Sequence, residues 1–404
     1  MKVVYAHDNV YISHEGAVYS AGQFAYSYWS PYLEAFGKLT VIGRMRELKT
    51  GEDLSKFQRA DGDNVEILGA PDMNSPLKLL RNRDKVELMI AMLLQDADGV
   101  IIRAMSEIGW LTYKQARRQK LRIAHELSGC PWDNTWHHGS WTAKFYAPIR
   151  WRRARKVARK ADAVLYVTKE FLPRRYPAGR FALKAIASNV RIDPPEDAIL
   201  KKRVSRIKAV FGDKETPITF GLIGHLDHKL KGIDVALKAL AVYNQKTKKP
   251  FTFKILGPGN AARYAKAVKQ YKLEDKVKFE GTLPSGEPVL KWLDEVDVYM
   301  QPSFHEGLPR ALIEALSRGA LCFGSTAGGI PELLPKERLH KPGDHVRLAT
   351  QLYALLDQDA EDLTMIAKRN FAKAQDYTSD KLVPVRQAFW KNFARLIQKR
   401  VIQP

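Results

Sequence analysis

Two glutamates eight residues apart, Glu306 and Glu314, lie in the stretch whose residue types and spacing are best suited to ligand chemistry. The apolar run from Val296 to Met300 predicts a buried strand, which ends before Pro302 because proline has no N–H to donate to a sheet. Pro309 suits the first position of a following helix. Glu306 is therefore predicted in the loop before this helix, and Glu314 within it.

Both glutamates also have a purely structural interpretation. The helix dipole favours an acid near a helix N-terminus, and an acid two turns later often lies on a solvated face. Glu314, however, is flanked by apolar residues, where a carboxylate without a partner is costly. The backbone amides of Gly307 and Leu308 are predicted at the positive end of the helix, a place for an anion such as a phosphate. Together these residues indicate a phosphorylated, hydroxyl-rich ligand such as a nucleotide sugar.

A second loop with phosphate-binding potential follows a predicted strand at 218–223. Its Lys231, next to Gly232, is suited to neutralising a diphosphate, although a surface Lys-Gly turn is common. A glycine turn containing Gly257 and Gly259 follows the next predicted strand. These loops are expected at the carboxyl edge of one parallel sheet, where ligands bind in open α/β folds.

This set of motifs resembles retaining glycosyltransferases of family 4. Glu306 and Glu314 match the family's paired glutamates, and the turn Gly328-Gly329-Ile330-Pro331-Glu332 follows as it does in the family. Lys231-Gly232 and Gly257-Pro258-Gly259 match two further motifs. The resemblance implies the GT-B fold, an α/β architecture of two Rossmann-like domains with parallel sheets facing a central cleft.

The resemblance also implies roles for individual residues. Glu306 would hold sugar hydroxyls, Glu314 the ribose, and Lys231 the diphosphate. His225 stands where the family has an arginine, so a protonated His225 or Lys229 is the expected replacement. The turn at Gly257 and Gly259 would lie near the nucleotide base.

The first half of the chain is predicted to hold the acceptor. Short β-branched runs alternate with helical patterns and indicate a parallel sheet. A long loop at 9–23 is expected after the first strand, and in the resembled family such a glycine loop approaches the donor phosphates. Gly22 is the preferred match and Gly16 the second. An aromatic-rich helix is predicted at 24–36.

A polar and aromatic segment at 125–141 is predicted after the strand at 122–124. His125 and Glu126 are alternative catalytic candidates near the acceptor, and Arg103, after the preceding strand, is a weaker substrate-binding candidate. No metal ligand is assigned, because the paired aspartates either precede strands or lie in a helical stretch. No cofactor is expected beyond the UDP- or GDP-linked sugar donor as substrate.

The amino-acid composition indicates which class of protein this is. The 404 residues are 45% hydrophobic and 27% charged, which is typical of a globular chain of two domains. The absence of an apolar leader and the two separated cysteines favour a cytoplasmic location. The net charge of +22 attracts anionic partners. The basic run Arg150 to Lys160 is either a solvated helix face or a peripheral contact with the anionic inner face of the plasma membrane.

The predicted domains are an acceptor domain at 1–193, joined by a C-terminal helix at about 384–404, and a donor domain at 194–383. The predicted function is retaining, metal-independent transfer of a hexose from a nucleotide-diphosphate sugar to a hydroxyl of a glycan or lipid-linked acceptor in polysaccharide biosynthesis. A nucleotide-sugar epimerase of the same fold and a non-catalytic basic binding protein are the alternatives. Nucleic acid is not an expected partner, because no binding motif accompanies the charge.

Overall fold

The computed structural model describes residues 1–22, 24–73, 75–103, 106–137 and 141–401. These residues form two compact units. Unit 1 contains Met1–Thr135, Trp141–Ala187 and the chain from Val383 on, whereas unit 2 contains Ser188–Leu382 together with Trp136 and His137. The C-terminal helix, from Val383 on, therefore belongs to the same unit as the N-terminus.

The sheet of unit 1 has a parallel core in the order β5-β3-β1-β6-β7-β8-β9. Its strands are β1 (Lys2–His14), β2 (Ala17–Ser20), β3 (Lys38–Glu47), β4 (Gln58–Arg59), β5 (Val65–Ala70), β6 (Gly99–Arg103), β7 (Arg122–Leu127), β8 (Ala163–Tyr166) and β9 (Leu183–Ile186). The chain adds strands on one side of β1 and then on the other, so the order reverses between β1 and β6. This is the doubly wound order of Rossmann-like domains.

The segment after the first strand is a hairpin, so the predicted long loop at 9–23 is wrong. Strand β1 runs on to His14 and pairs antiparallel with β2, whose other edge carries β4. The apolar runs at 10–12 and 17–19 fit two strands around a turn at 15–16, but the polar residues between the runs favoured a loop. The predicted helix at 24–36 is a 3₁₀ turn at Tyr26–Trp29 followed by a helix that begins at Ser30.

The helices of unit 1 cover this sheet. They are α1 (Ser30–Phe36), α2 (Pro76–Leu93), α3 (Glu107–Arg118), α4 (Pro131–Trp136), α5 (Trp141–Lys160), α6 (Phe171–Arg175) and, at the end of the chain, α14 (Ser379–Val401). Helix α14 packs its aromatic side chains against α1, where Trp390 lies 4.9 Å from Tyr32 between ring centroids. On α14, Phe389 and Phe393 lie four residues apart and are both buried, whereas Val385 is 40% exposed.

Unit 2 repeats the doubly wound order in a six-stranded parallel sheet, β12-β11-β10-β13-β14-β15. Its strands are β10 (Ile218–Ile223), β11 (Phe251–Leu256), β12 (Val277–Phe279), β13 (Val298–Gln301), β14 (Leu321–Ser325) and β15 (Leu339–His340). The reversal falls between β10 and β13, which are neighbours in the sheet. The predicted α/β architecture with parallel sheets is confirmed in both units.

Two groups of helices flank the sheet of unit 2. The helices are α7 (Asp197–Gly212), α8 (Ile233–Lys246), α9 (Ala262–Gln270), α10 (Glu287–Asp294), α11 (Arg310–Ser317), α12 (His345–Tyr353) and α13 (Ala360–Ala374). Helix α8 packs with α9 and α12, whereas α11 packs with α10 and α13. The helices that follow β10 and β13 thus belong to different layers. Within the described ranges, no helix has both the length and the apolar character needed to cross a membrane.

A buried ion pair ties α14 to the sheet of unit 1. Glu126 in β7 has no exposed surface, and its carboxylate accepts hydrogen bonds from Arg386 and from the hydroxyls of Tyr5 and Tyr32, both at 2.9 Å. Burial acts to raise the pKa of Glu126, but the positive charges of Arg386 and Arg103 overcome this effect and lower the pKa to about 2. Glu126 is therefore a charged core residue with a complete set of donors.

Replacing Arg386 with leucine is expected to destabilise the protein by about 3–5 kcal/mol, because it leaves the Glu126 carboxylate buried without its counter-charge. The free energy of unfolding in denaturant measures the effect. Gln387→Leu is the matched control, since the neighbouring Gln387 donates to the Glu34 carboxylate at the surface. A surface bond of this kind is worth less than about 1 kcal/mol. Equal losses in the two variants would contradict a special role for the buried pair.

Candidate functional site

The candidate site lies in unit 2, at the carboxyl ends of β10 and β13. These two strands are neighbours at the point where the strand order reverses, so the chain leaves them toward different helix layers. The divergence leaves the sheet edge between them open for side chains and ligands. Lys231 follows β10 and Glu306 follows β13, and both reach this edge.

Lys231 and Glu306 form an ion pair. The Lys231 ammonium lies 2.6 Å from Oε1 of Glu306, and the two side chains are 33% and 8% exposed. The same Oε1 accepts hydrogen bonds from Gln301 Nε2 at 2.9 Å and Ser303 Oγ at 2.7 Å. Oε2 of Glu306 accepts no hydrogen bond from the described residues. One oxygen is therefore fixed by three donors, and the other is available to a ligand.

Three residues that the sequence analysis did not single out position this carboxylate. Gln301 and Ser303 donate to it directly, and the buried Tyr299 hydroxyl donates to Gln301 Oε1 at 2.9 Å. Burial raises the pKa of Tyr299 well above its ordinary value, so it remains a donor. Polar residues at the end of an otherwise apolar strand were the available signal, but their chain spacing does not reveal that they converge on one oxygen.

Two glycines allow the loops around the pair to approach other backbone segments. Gly232 has φ of +69°, and a Cβ there would lie 2.1 Å from the carbonyl oxygen of Pro302. Gly328 has φ of +58°, and a Cβ there would lie 2.2 Å from the carbonyl oxygen of Glu306. Both positions combine a left-handed conformation with a backbone contact that a side chain would block. The Lys231 turn and the Glu306 loop thus owe their positions to glycine.

Free backbone amides lie beside Glu306. Helix α11 begins at Arg310, with Pro309 as the residue before its first turn rather than within it. The N–H groups of Gly307 and Leu308 donate no hydrogen bond to any described residue, whereas the Gly307 carbonyl accepts from Gly329 at 2.7 Å. The predicted anion position at this helix end therefore has unused donors.

Glu314 lies in α11, as predicted, and is partly buried. Burial raises the pKa of its carboxyl, and the charge of Arg310 offsets this only in part. Among the residues that the structure describes, none donates a hydrogen bond to this carboxylate or forms an ion pair with it. A buried carboxylate without a partner costs stability, which makes Glu314 a candidate to accept hydroxyl groups from a ligand.

His225 lies on the loop after β10 and is 43% exposed. Its Nδ1 accepts a hydrogen bond from the Asp227 N–H at 3.3 Å and lies 3.8 Å from the Asp227 carboxylate. The His228 ring packs 4.7 Å away between centroids. Lys229 opens the 3₁₀ turn Lys229–Lys231 and is exposed.

The glycine turn after β11 holds this loop in place. Gly257 donates to the Gly281 carbonyl at 2.6 Å, and a Cβ on Gly257 would lie 2.1 Å from the Gly224 carbonyl oxygen. Gly259 has φ of +119° and lies against Asp227. Leu226 donates to the Pro258 carbonyl at 2.8 Å. The loops after β10 and β11 are therefore packed backbone to backbone, which places His225, Gly257 and Gly259 on one edge.

The predicted substrate-binding residues of unit 1 lie at the β1–β2 hairpin and in the interior of the unit. Gly16 lies in the tight turn of the β1–β2 hairpin and Gly22 in the bend after it, and both have positive φ with open space around them. Arg103 is only 5% exposed, and its guanidinium lies over the Phe24 and Tyr28 rings at 4.7 and 5.4 Å. Arg103 is thus a buried cation that ends β6 instead of following it, and its substrate-binding role stays a prediction.

His125 and Glu126 lie within β7, not after it, and both are completely buried. His125 contacts the Ile102 carbonyl through Nδ1 at 2.9 Å, and burial lowers its pKa to about 4. The Glu126 carboxylate is already saturated by its donors, whereas Nε2 of His125 is buried without a hydrogen-bond partner among the described residues. The catalytic assignment of these two residues stays a prediction. Strand β7 runs to Leu127, beyond its predicted end at residue 124, because the polar pair His-Glu favoured a loop in the sequence. Residues 138–140 of the predicted acceptor segment lie outside the described residues.

The described ranges contain no cluster of three or more His, Cys, Asp or Glu side chains with the geometry of a metal site.

Gly232→Ala is expected to destabilise unit 2 more than Gly281→Ala does. Both glycines have φ of +69°, but a Cβ on Gly281 meets no atom within 4 Å. The shared strain is about 1 kcal/mol, and the clash with Pro302 adds about 1–3 kcal/mol. Thermal and denaturant unfolding of the two variants measure the difference. Equal stabilities would show that the Lys231 turn does not depend on this backbone approach.

Glu314→Gln is expected to raise the melting temperature at pH 8. A carboxyl whose pKa is raised on folding contributes stability that is full below its unfolded value, ordinarily 4.5, and that is lost as the pH rises through the folded value. The neutral glutamine avoids this loss, so the gain should shrink as the pH falls below 4.5. The exposed Glu274→Gln is the control, with no expected gain. A destabilised Glu314→Gln at pH 8 would indicate a structural partner for the carboxylate.

Residues 217–358 match the family described as "Glycosyl transferases group 1". Protein CapJ of Staphylococcus aureus is 26% identical over 401 residues, which are 98% of this chain and 97% of CapJ. The putative colanic acid biosynthesis glycosyltransferase WcaL of Escherichia coli (strain K12) is 33% identical over 170 residues, 40% of this chain and 41% of WcaL.

The structure of Anabaena Alr3699/HepE in complex with UDP resembles the whole chain, with a TM-score of 0.63, 16% sequence identity, and coverage of 98% of this chain and 100% of HepE. At this identity the likeness shows the fold, which is the GT-B fold of two Rossmann-like domains. The family match lies within the unit that contains Lys231, Glu306 and Glu314. Together the comparisons support a glycosyltransferase with the GT-B fold.

Proposed function

We propose that this protein is a retaining glycosyltransferase of family 4 that transfers a hexose from a nucleotide-diphosphate sugar to a hydroxyl of a glycan or lipid-linked acceptor in cell-surface polysaccharide biosynthesis. The observation that carries the proposal is the Lys231–Glu306 pair at the reversal point of the unit 2 sheet, where Oε2 of Glu306 accepts no hydrogen bond from the described part of the chain. WcaL, named for colanic acid biosynthesis, supports the pathway class.

The donor diphosphate would bind between Lys231 and the free amides of Gly307 and Leu308. The Lys231 ammonium has three N–H donors and uses one of them for Glu306, so a phosphate oxygen can be added without breaking the ion pair. The helix end and the ammonium supply positive charge where the leaving diphosphate gains negative charge. In this arrangement the protein itself supplies the positive charge that stabilises the leaving diphosphate, and no metal ion is assigned a role.

Glu306 and Glu314 would bind the hydroxyl-rich parts of the donor. Oε2 of Glu306 is free to accept a sugar hydroxyl, while Oε1 is fixed by Lys231, Gln301 and Ser303. Glu314 would accept the ribose hydroxyls, which would supply the partner that this carboxylate lacks within the described part of the chain. Hydrogen bonds to a charged acceptor contribute about 1.5–3 kcal/mol each, so both contacts would matter to donor affinity.

The chemical step assigned here needs no enzymic nucleophile. The bond from the anomeric carbon to the phosphate oxygen breaks, the bond to the acceptor oxygen forms on the same face, and the acceptor proton passes to the leaving phosphate oxygen. Catalysis then consists of positioning the two substrates and stabilising the leaving group. Retention at the anomeric carbon follows from same-face attack.

The donor is tested first by thermal shift with UDP, GDP and ADP and with their glucose, galactose and mannose conjugates. A bound nucleotide at about 100 times its Kd adds about 2.7 kcal/mol to the stability of the folded state. HepE has been solved with UDP and with UDP-glucose, which makes the uridine series the first probe. No shift with any nucleotide, together with salt-sensitive binding to DNA, would favour a non-catalytic basic protein instead.

Lys231→Ala and Glu306→Gln are expected to show that the two residues bind different parts of the donor, the diphosphate and the sugar. Lys231→Ala should abolish most of the shift given by the nucleoside diphosphate alone. Glu306→Gln should keep that shift and lose the additional shift given by the sugar conjugate. Both variants should lower the transfer rate by about 10²–10³, measured as release of nucleoside diphosphate in the presence of acceptor.

Lys254→Ala is the matched control, because Lys254 forms an ion pair of similar length, 2.7 Å to Glu295, in the body of the same sheet. Its donor shifts and transfer rate should match those of the unsubstituted protein. Full activity in Lys231→Ala or Glu306→Gln would overturn the assigned roles. Conversion of the donor sugar to its epimer without any acceptor would identify an epimerase.

A further inference from the structure

Helix α5 of unit 1 exposes a row of large apolar side chains. Trp141, Phe145 and Ile149 are 76%, 77% and 44% exposed. Their four-residue spacing puts them along one side of the helix, because residues four apart lie nearly above one another. Three large apolar side chains in one exposed row are unusual for a surface that faces only water.

The opposite side of α5 is anchored in unit 1. Ala147, Ala154, Val157 and Ala158 are fully buried and form the face that packs on the unit. The helix is therefore a fixed part of the fold that presents an additional apolar face outward. Burial on one side accounts for the position of the helix but not for its exposed aromatic residues.

Basic side chains follow the exposed apolar row along α5. Arg152, Arg155, Lys156 and Arg159 are exposed along the later turns of α5. Arg153, by contrast, is paired with Glu107 at 2.7 Å. The chain from Asn134 to Ala161 contains eight Lys and Arg residues and no Asp or Glu. Nothing within α5 itself neutralises this face.

We propose that this face of α5 docks on an anionic lipid bilayer. Trp141, Phe145 and Ile149 enter the interface between headgroups and acyl chains, and the basic residues of the later turns contact lipid phosphates. A helix that combines aromatic and aliphatic side chains with Lys and Arg has the two features that interfacial helices use, apolar burial and attraction to anionic lipid. Because this face of α5 is positively charged, an anionic lipid surface is the partner that it fits.

The exposed apolar residues of α2 have a weaker complementarity to an anionic surface. Leu77 and Leu80 on α2 are 82% and 81% exposed. The same helix carries four Lys and Arg residues together with Asp84 and Glu87, and its Lys78 is paired with Asp72 at 2.9 Å. An anionic surface would be attracted less strongly by α2, whose net charge is +2, than by α5, which has eight Lys and Arg residues and no acid. Exposure alone therefore does not decide the docking face.

Docking through α5 would hold unit 1 at the lipid surface, where a lipid-linked acceptor resides. That consequence rests on the proposed function, but membrane binding does not, because it needs neither donor nor acceptor. A protein that binds vesicles without transferring sugar, or that transfers sugar without binding vesicles, would separate the two proposals.

Co-sedimentation of the full chain with vesicles tests the docking. Binding is expected to vesicles in which phosphatidylglycerol is about a third of the lipid, to weaken as salt is added, and to be far weaker with phosphatidylcholine alone. The triple variant Arg155→Gln, Lys156→Gln, Arg159→Gln should bind roughly 100-fold more weakly, because each charge contributes about a factor of five. Trp141→Ser with Phe145→Ser should weaken binding at least about tenfold.

Leu77→Ser with Leu80→Ser is the matched control and should bind like the unsubstituted protein. Equal weakening by this pair and by the Trp141, Phe145 pair would overturn the assignment to α5. Binding that does not depend on phosphatidylglycerol would overturn the proposed anionic partner. Self-association in solution that Trp141→Ser with Phe145→Ser abolishes, without vesicle binding, would show that the row contacts a second copy instead.

Tryptophan fluorescence with brominated lipids provides a second test. Insertion of the Trp141 indole predicts quenching by bromine near the headgroup end of the acyl chain, and Trp141→Phe should remove a distinct part of this quenching. An unchanged quenching profile in Trp141→Phe would show that the indole stays outside the bilayer and would overturn the insertion.

Discussion

The carboxyl edge between β10 and β13 is the constraint on which the site in unit 2 depends. The strand order reverses there, and the helices that follow the two strands pack in different layers. The two helices therefore leave this edge on different sides of the sheet, and the loops that follow the strands can turn toward each other. Lys231 and Glu306, which are 75 residues apart in the chain, meet at 2.6 Å because of this topology.

Glycine residues and hydrogen bonds then hold the loops and the Glu306 side chain in place at this open edge. Gly232 and Gly328 let the two loops approach backbone carbonyls more closely than any side chain would permit. Gln301 and Ser303 fix one oxygen of Glu306 and leave the other free. Glu314 is held partly buried without a described partner, at a cost in stability. Carboxylate oxygens without a hydrogen-bond partner among the described residues are expected in a site whose ligand supplies the missing donors.

The two units share a strand order but use their charged residues differently. In unit 1, Glu126 is saturated by Arg386, Tyr5 and Tyr32, so its charge stabilises the attachment of α14. In unit 2, Lys231 keeps a third of its side chain exposed, and the free amides of Gly307 and Leu308 lie near Glu306. A saturated buried charge contributes to the fold, whereas a partly exposed charge with unused bonding capacity is suited to binding.

The sequence by itself determined the alternation of strands and helices, the position of the Lys231-Gly232 turn, and the placement of Glu306 and Glu314 around one helix, because periodicity and turn residues are local signals. Only the tertiary structure decided that His125, Glu126 and Arg103 are core residues and that Gln301 and Ser303 position Glu306. Glu126 is saturated by Arg386, which lies 260 residues later in the chain. Burial and hydrogen bonding depend on distances in space, which spacing along a single chain does not reveal.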